Sequence, residues 1–175
     1  MTTSPRRQRP TLPATLTSAT LAAAALTAAA LCGAAPASAH ELLPTAPAPL
    51  EPGVQLVLDR TNAARADAGC APLAVAEAMT DTATGHSAEM AATGRMTHVG
   101  ADGSTPRVRL AAHGVQPWRT AENVAHGYDA ASVVEAWLAS PGHRANILDC
   151  RLTLVGIAEA PGATGPYWTQ VFAGF

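Results

Sequence analysis

Three side chains in distant parts of the chain, His98, Glu122 and His143, are of the types that hold a divalent cation. Two neutral imidazoles and a carboxylate suit a borderline-soft ion such as zinc, and three protein ligands plus a water would leave one position open for chemistry. His98 closes the run RMTH at 95–98, Glu122 sits in AENVAHG at 121–127, and His143 lies in SPGHRANIL at 140–148. Only the fold can bring such separated residues together, because no compact motif such as H-E-x-x-H sets their geometry locally. Two readings stay open on spacing alone. Either the three share a site, or His143 donates to a carbonyl in its own turn and Glu122 caps nearby backbone.

Other chemistries find less support. There is no G-x-S-x-G and no lysine in the chain, so an activated serine or a Schiff-base amine is not indicated. Glu135 falls on the polar side of its helix and reads as solvated surface. His86 shares a helical face with Met79 and Met90 and reads as a hydrogen-bonded core residue, whereas His113 and His126 precede glycines and read as turn or surface residues.

The elements that would position these residues are legible in the periodicity. Val54, Val57, Leu58, Thr61 and Ala64 predict a helix over 53–68 that stops at Gly69. Met79, Ala83, His86 and Met90 predict a second over about 75–93, ending at Gly94. Thr105-Pro106 opens a short helix reaching Gly114, and Val133, Val134, Trp137 and Leu138 predict a fourth over about 130–139, stopped by Pro141-Gly142. On this reading His143 sits in a tight turn and Glu122 in a segment flanked by loops. The period then changes: residues 152–158 and 167–172 are rich in β-branched and aromatic side chains and flank a Pro/Gly loop, as in a hairpin. Helices covering a small sheet indicate a mixed α+β sandwich. Val108, Leu110 and Trp118 read more readily as packing against that sheet than as lining a groove.

Arg6, Arg7 and Arg9, an uncharged Ala/Leu/Thr run over 12–31 and Ala37-Ser-Ala39 read as a secretory signal peptide at 1–39. That run is less hydrophobic than a membrane anchor requires, and Cys32, behind the bulky Leu31, is expected to leave with the signal. Residues 40–52, with four prolines, read as a linker, and 53–175 as one domain. The exported part keeps eight arginines against thirteen acidic residues, a net charge near −5. A nucleic-acid or anionic-membrane partner is therefore not expected, for want of clustered cations. Cys70 and Cys150 remain in a chain bound for an oxidising compartment and are expected to pair, closing a loop that adds roughly 4 kcal/mol in the chain-entropy model. A monomer is expected.

His98 after a Met-rich helix, AENVA at 121–125, the helix VVEAW at 133–137 running into SPGHRANIL, and YWTQ at 167–170 together resemble a bacterial member of the CAP superfamily, the SCP-like extracellular domains of cysteine-rich secretory, antigen 5 and pathogenesis-related proteins. The resemblance covers about 53–175. It implies a three-layer α-β-α sandwich with a three-stranded antiparallel sheet between helices, and a cleft that often binds a divalent cation. Better-known eukaryotic members carry two His and two Glu there, of which His98 and Glu122 match. The second Glu falls near Ser140 and the second His at Tyr167, and bacterial relatives carry His143 instead. The resemblance thus implies a site of His98, Glu122 and His143, with zinc or another divalent cation as the possible cofactor. The expected function is a secreted domain whose cleft binds metal, a small lipid-like molecule or a cell-wall ligand. A metal-dependent hydrolase using zinc-activated water, with Glu122 as ligand or base, is one alternative. A structural or defence protein with a vestigial cleft is the other.

Overall fold

The computed structural model describes residues 49–175; the expected signal peptide and most of the expected linker lie outside the described residues. Pro52, expected as the last residue of the linker, instead opens α1 (Pro52–Asp67), because its fixed φ suits the first helical turn. The chain continues through β1 (Ala74–Val75), α2 (Glu77–Thr93), α3 (Pro106–Ala112), β2 (Arg119–His126), α4 (Val133–Ala139), α5 (Pro141–Ile147), β3 (Leu154–Gly162) and β4 (Gly165–Gly174).

The sheet has the order β1-β3-β4-β2. β4 pairs antiparallel with both β3 and β2, and the two-residue β1 adds a parallel edge beside β3. The sheet therefore has one more strand than the three expected. Side chains alternate across it. Trp168 and Phe172 of β4 face one way, packing with Val57 of α1, Val134 and Trp137 of α4 and Ile147 of α5. Val171 and Ala173 face the other way, onto Met79 and Ala83 of α2 and Leu110 of α3. The result is the α-β-α sandwich, with each apolar helix stripe buried against one sheet face. α2 lies so close that a side chain on Gly156 of β3 would collide with the backbone of Met79. Glycine is needed there for this close approach.

Several expectations are corrected here. His143 is not in a turn but inside α5: Ser140 ends α4 and begins α5, and Pro141 occupies its first turn. A seven-residue helix is too short to show a period, so the Pro-Gly pair reads as a stop when it is a restart. Glu122 is not between loops but mid-way along the eight-residue β2, whose polar residues hide a strand. The hairpin between β3 and β4 is tighter than expected, with Gly162 opposite Gly165. Leu110 is buried as anticipated, but Val108 and Trp118 are exposed, Trp118 by 58%. Glu135 is exposed, facing Arg60 at 3.1 Å.

Cys70 and Cys150 form the expected disulfide, with Cα atoms 4.9 Å apart and a separation of 80 positions along the chain. Beside it Arg65, wholly buried, spends its guanidinium on backbone carbonyls. Its Nε donates to Ala71 at 3.0 Å, Nη1 to Ile147 at 2.7 Å and Asp149 at 3.1 Å, and Nη2 to Leu152 at 2.8 Å.

Candidate functional site

The site forms at the outer edge of β2, the terminal strand of the sheet, where groups from both faces can meet. α2 stops at Gly94, which adopts φ 66° and turns the chain outward. His86, buried on α2, then fixes the following segment. A carbonyl only accepts, so His86 Nε2 carries the proton and donates to the Thr97 carbonyl at 2.7 Å. This bond anchors the residue immediately before His98, consistent with the core role expected of His86.

Glu122 projects from β2 into this corner, and its side chain is 2% exposed. A buried carboxylate requires partners, and it has two close ones. Oε1 accepts from His98 Nδ1 at 3.0 Å and Oε2 from Arg109 Nη2 at 2.6 Å, while His86 Nε2 stands 3.9 Å from Oε1. Arg109, on α3, also donates to the carbonyls of Ser104 at 2.9 Å and His98 at 3.2 Å. It therefore holds both the backbone of His98 and the carboxylate that orients the His98 ring. Because the carboxylate accepts at Nδ1, the free nitrogen of His98 is Nε2, and this side chain is half exposed.

His143 reaches the same edge from the opposite face of the sheet, its ring centroid 6.5 Å from that of His98. Its helix is tied to β2 by side-chain amides. Asn123 Nδ2 donates to the His143 carbonyl at 3.3 Å, and Asn146 Nδ2 to the Glu122 carbonyl at 3.2 Å and to Asn123 Oδ1 at 2.9 Å. Asn123 also donates to Gln170 on β4 at 3.1 Å, and Gln170 to Thr61 on α1 at 2.9 Å. This buried chain links four elements behind the histidines. Burial, reinforced by the neighbouring His98, lowers the pKa of His143 from its ordinary value and favours the neutral ring.

The structure thus brings all three sequence-selected residues to one edge, but it does not leave them equivalent. Among the described residues no group of three or more His, Cys, Asp or Glu side chains is arranged to hold a metal ion. Each Glu122 oxygen already accepts one close hydrogen bond, which makes it the least freely placed of the three to ligate in this arrangement. A pair of imidazoles with Glu122 behind His98 fits better, since a ligating histidine commonly gives its other N–H to a carboxylate. Sequence reasoning missed Arg109, whose one signal is a charge between the apolar Val108 and Leu110, and missed Asn123 and Asn146, which lie inside the motifs that hold Glu122 and His143.

Next to His98 an open cleft of about 400 Å³ is lined by Thr105, Arg107, Thr120 and Glu122, with Pro106 and Ala121 its apolar residues. His143 is not among its lining residues.

A model of the cysteine-rich secretory protein family, CAP, matches residues 58–172. The chain belongs to the CAP family. Among its relatives, protein YkwD of Bacillus subtilis is 32% identical over 143 residues, which are 80% of this chain and 55% of YkwD. The solved structure of an extracellular protein containing an SCP domain from Bacillus anthracis superposes with a TM-score of 0.64 at 28% identity, over 73% of this chain and 45% of that one. An outer surface protein of Borrelia burgdorferi has the same fold, with a TM-score of 0.66 at 19% identity over 70% of this chain and 92% of its own. This CAP chain therefore spans about half the length of the two Bacillus proteins.

Proposed function

We propose that this CAP protein is an extracellular recognition domain whose cleft beside β2 takes a small polar ligand of the cell wall, with His98 and His143 able to hold a divalent ion at its edge. The observation that carries this reading is the Arg109–Glu122–His98 chain, which directs one nitrogen of a half-exposed imidazole away from the buried carboxylate, next to an open cleft lined by polar and apolar groups alike. Buried charge spent on orienting one exposed ring is typical of a binding site. The export signal read from the sequence, and the description of the Bacillus anthracis relative as extracellular, support the location.

A wall fragment is favoured over a lipid, because the cleft is open to solvent and would leave an acyl chain largely uncovered. Recognition is favoured over hydrolysis, which needs a carboxylate free to ligate metal or take a proton from water, whereas Glu122 is committed to Arg109 and His98. A bound ion of the imidazole-preferring class, such as zinc, would supply a positive anchor for a ligand oxygen. The chain's own residues would orient it: Glu122 fixes the His98 ring, and Asn123 with Asn146 fix the helix bearing His143.

The test is co-sedimentation of the mature protein with purified wall sacculi, alongside zinc titration by calorimetry, for the wild type and for His98→Ala/His143→Ala. Sacculus binding that the double variant loses is expected. Equal binding by both proteins would overturn the cleft as the site. Zinc uptake that Glu122→Gln weakens but does not abolish is expected for an orienting carboxylate, and the absence of zinc binding in the wild type would remove the ion from the proposal.

A further inference from the structure

Trp118 stands out among the three tryptophans: Trp137 and Trp168 are buried, while Trp118 is 58% exposed. It is not a loose surface residue. Arg107 donates from Nη1 to the Pro117 carbonyl at 2.9 Å and from Nη2 to the Trp118 carbonyl at 3.0 Å, so two hydrogen bonds hold the backbone beneath the ring. Arg107 itself lines the cleft. Trp118 immediately precedes β2, whose residues Thr120, Ala121 and Glu122 line the cleft. Trp118 is not itself a lining residue, but its carbonyl is held by Arg107, which is, so the indole stands beside the cleft at its rim.

We propose that the ligand of this cleft is a neutral saccharide, one ring of which stacks on Trp118 while its hydroxyl or acetamido edge meets Thr105 and His98. The inference rests on the recognition reading of the same cleft. A pyranose ring presents an apolar C–H face and a rim of donors and acceptors, which matches a pinned indole beside a polar lining. The charge balance narrows the class further. With a net charge near −5 for the exported part, an anionic wall polymer is repelled at long range, whereas an uncharged amino-sugar strand is not. Tryptophan and arginine are also the residues on which binding energy concentrates at interfaces.

The experiment uses the tetramer of N-acetylglucosamine as probe and, separately, a wall stem peptide carrying no sugar. Saturable protection of Trp118 from acrylamide quenching by the tetramer is expected, with the two buried tryptophans serving as an internal reference. Calorimetry should show affinity for the tetramer falling at least roughly tenfold in Trp118→Ala and no more than about threefold in Trp118→Tyr, with the melting temperature unchanged because the ring is exposed. Unchanged affinity in Trp118→Ala, failure of the wild type to bind the tetramer, or binding reproduced by the peptide alone would each overturn the proposal. Sacculus binding lost in His98→Ala/His143→Ala but kept in Trp118→Ala would overturn the saccharide platform and leave the cleft reading intact. A wild type that binds no sacculi would overturn both.

Discussion

Two arginines in this molecule do opposite things with the same guanidinium. Arg65, at the disulfide corner, is wholly buried and donates to four backbone carbonyls. Arg109, at the cleft corner, divides itself between carbonyls and the Glu122 carboxylate, and its Nε has no partner. The first corner is almost fully satisfied by hydrogen bonds and locked by a covalent bridge. The second stops short of satisfaction and leaves His98 half in solvent. A buried charge whose needs are met by neutral carbonyls acts as a staple, whereas one met by another charge can organise a third group that faces outward.

If that contrast is right, the largest effect belongs to the staple. Arg65→Ala strands several buried carbonyls and is expected to cost on the order of 4 kcal/mol in chemical denaturation. Opening the bridge with Cys70→Ser/Cys150→Ser should cost up to about 4 kcal/mol, since the closed loop is long. Glu122→Gln is expected to cost about 2 kcal/mol, as the amide keeps an acceptor for Arg109 but removes the charge. A cost equal to that of Arg65→Ala would mean the cleft corner is a staple as well.

Asp149 sharpens the comparison through pH. Its carboxyl is held at about 2, below the ordinary 3.8, by hydrogen bonds from Arg151 and then Arg119. A depressed pKa contributes stability that is complete above the unfolded value and is lost as pH falls through the folded one. Wild type should therefore lose on the order of 1 kcal/mol, after solvent screening, between about pH 4 and 2, and Asp149→Asn should lack that part of the acid limb in thermal melts. A comparably small effect, about 1 kcal/mol by the same melts, is expected for His98→Ala, because the buried Glu122 Oε1 loses its close donor; the same change should remove zinc and sacculus binding.

Much of this was legible because it is local. The stripe of Met79, Ala83, His86 and Met90 announced α2 and its buried face, and Gly94 its end. What escaped was short or polar. α5 has too few residues for a period to show, and the polar Glu122 and Asn123 of β2 are buried by partners distant in the chain. Arg65 could not be recognised as buried, because its partners come from carbonyls as far away as Leu152.

The sequence by itself determined that two cysteines would meet, that helices would cover a small sheet, and that His98, Glu122 and His143 were the residues to watch. Periodicity, composition and motif order carry that information in neighbouring residues. Only the tertiary structure decided what the three residues do relative to one another. The carboxylate's role depends on which donor reaches each oxygen, and Arg109 arrives from α3 while His98 arrives from the end of α2. Hydrogen bonds act over about 3 Å, so such roles are assigned by packing rather than by spacing along the chain.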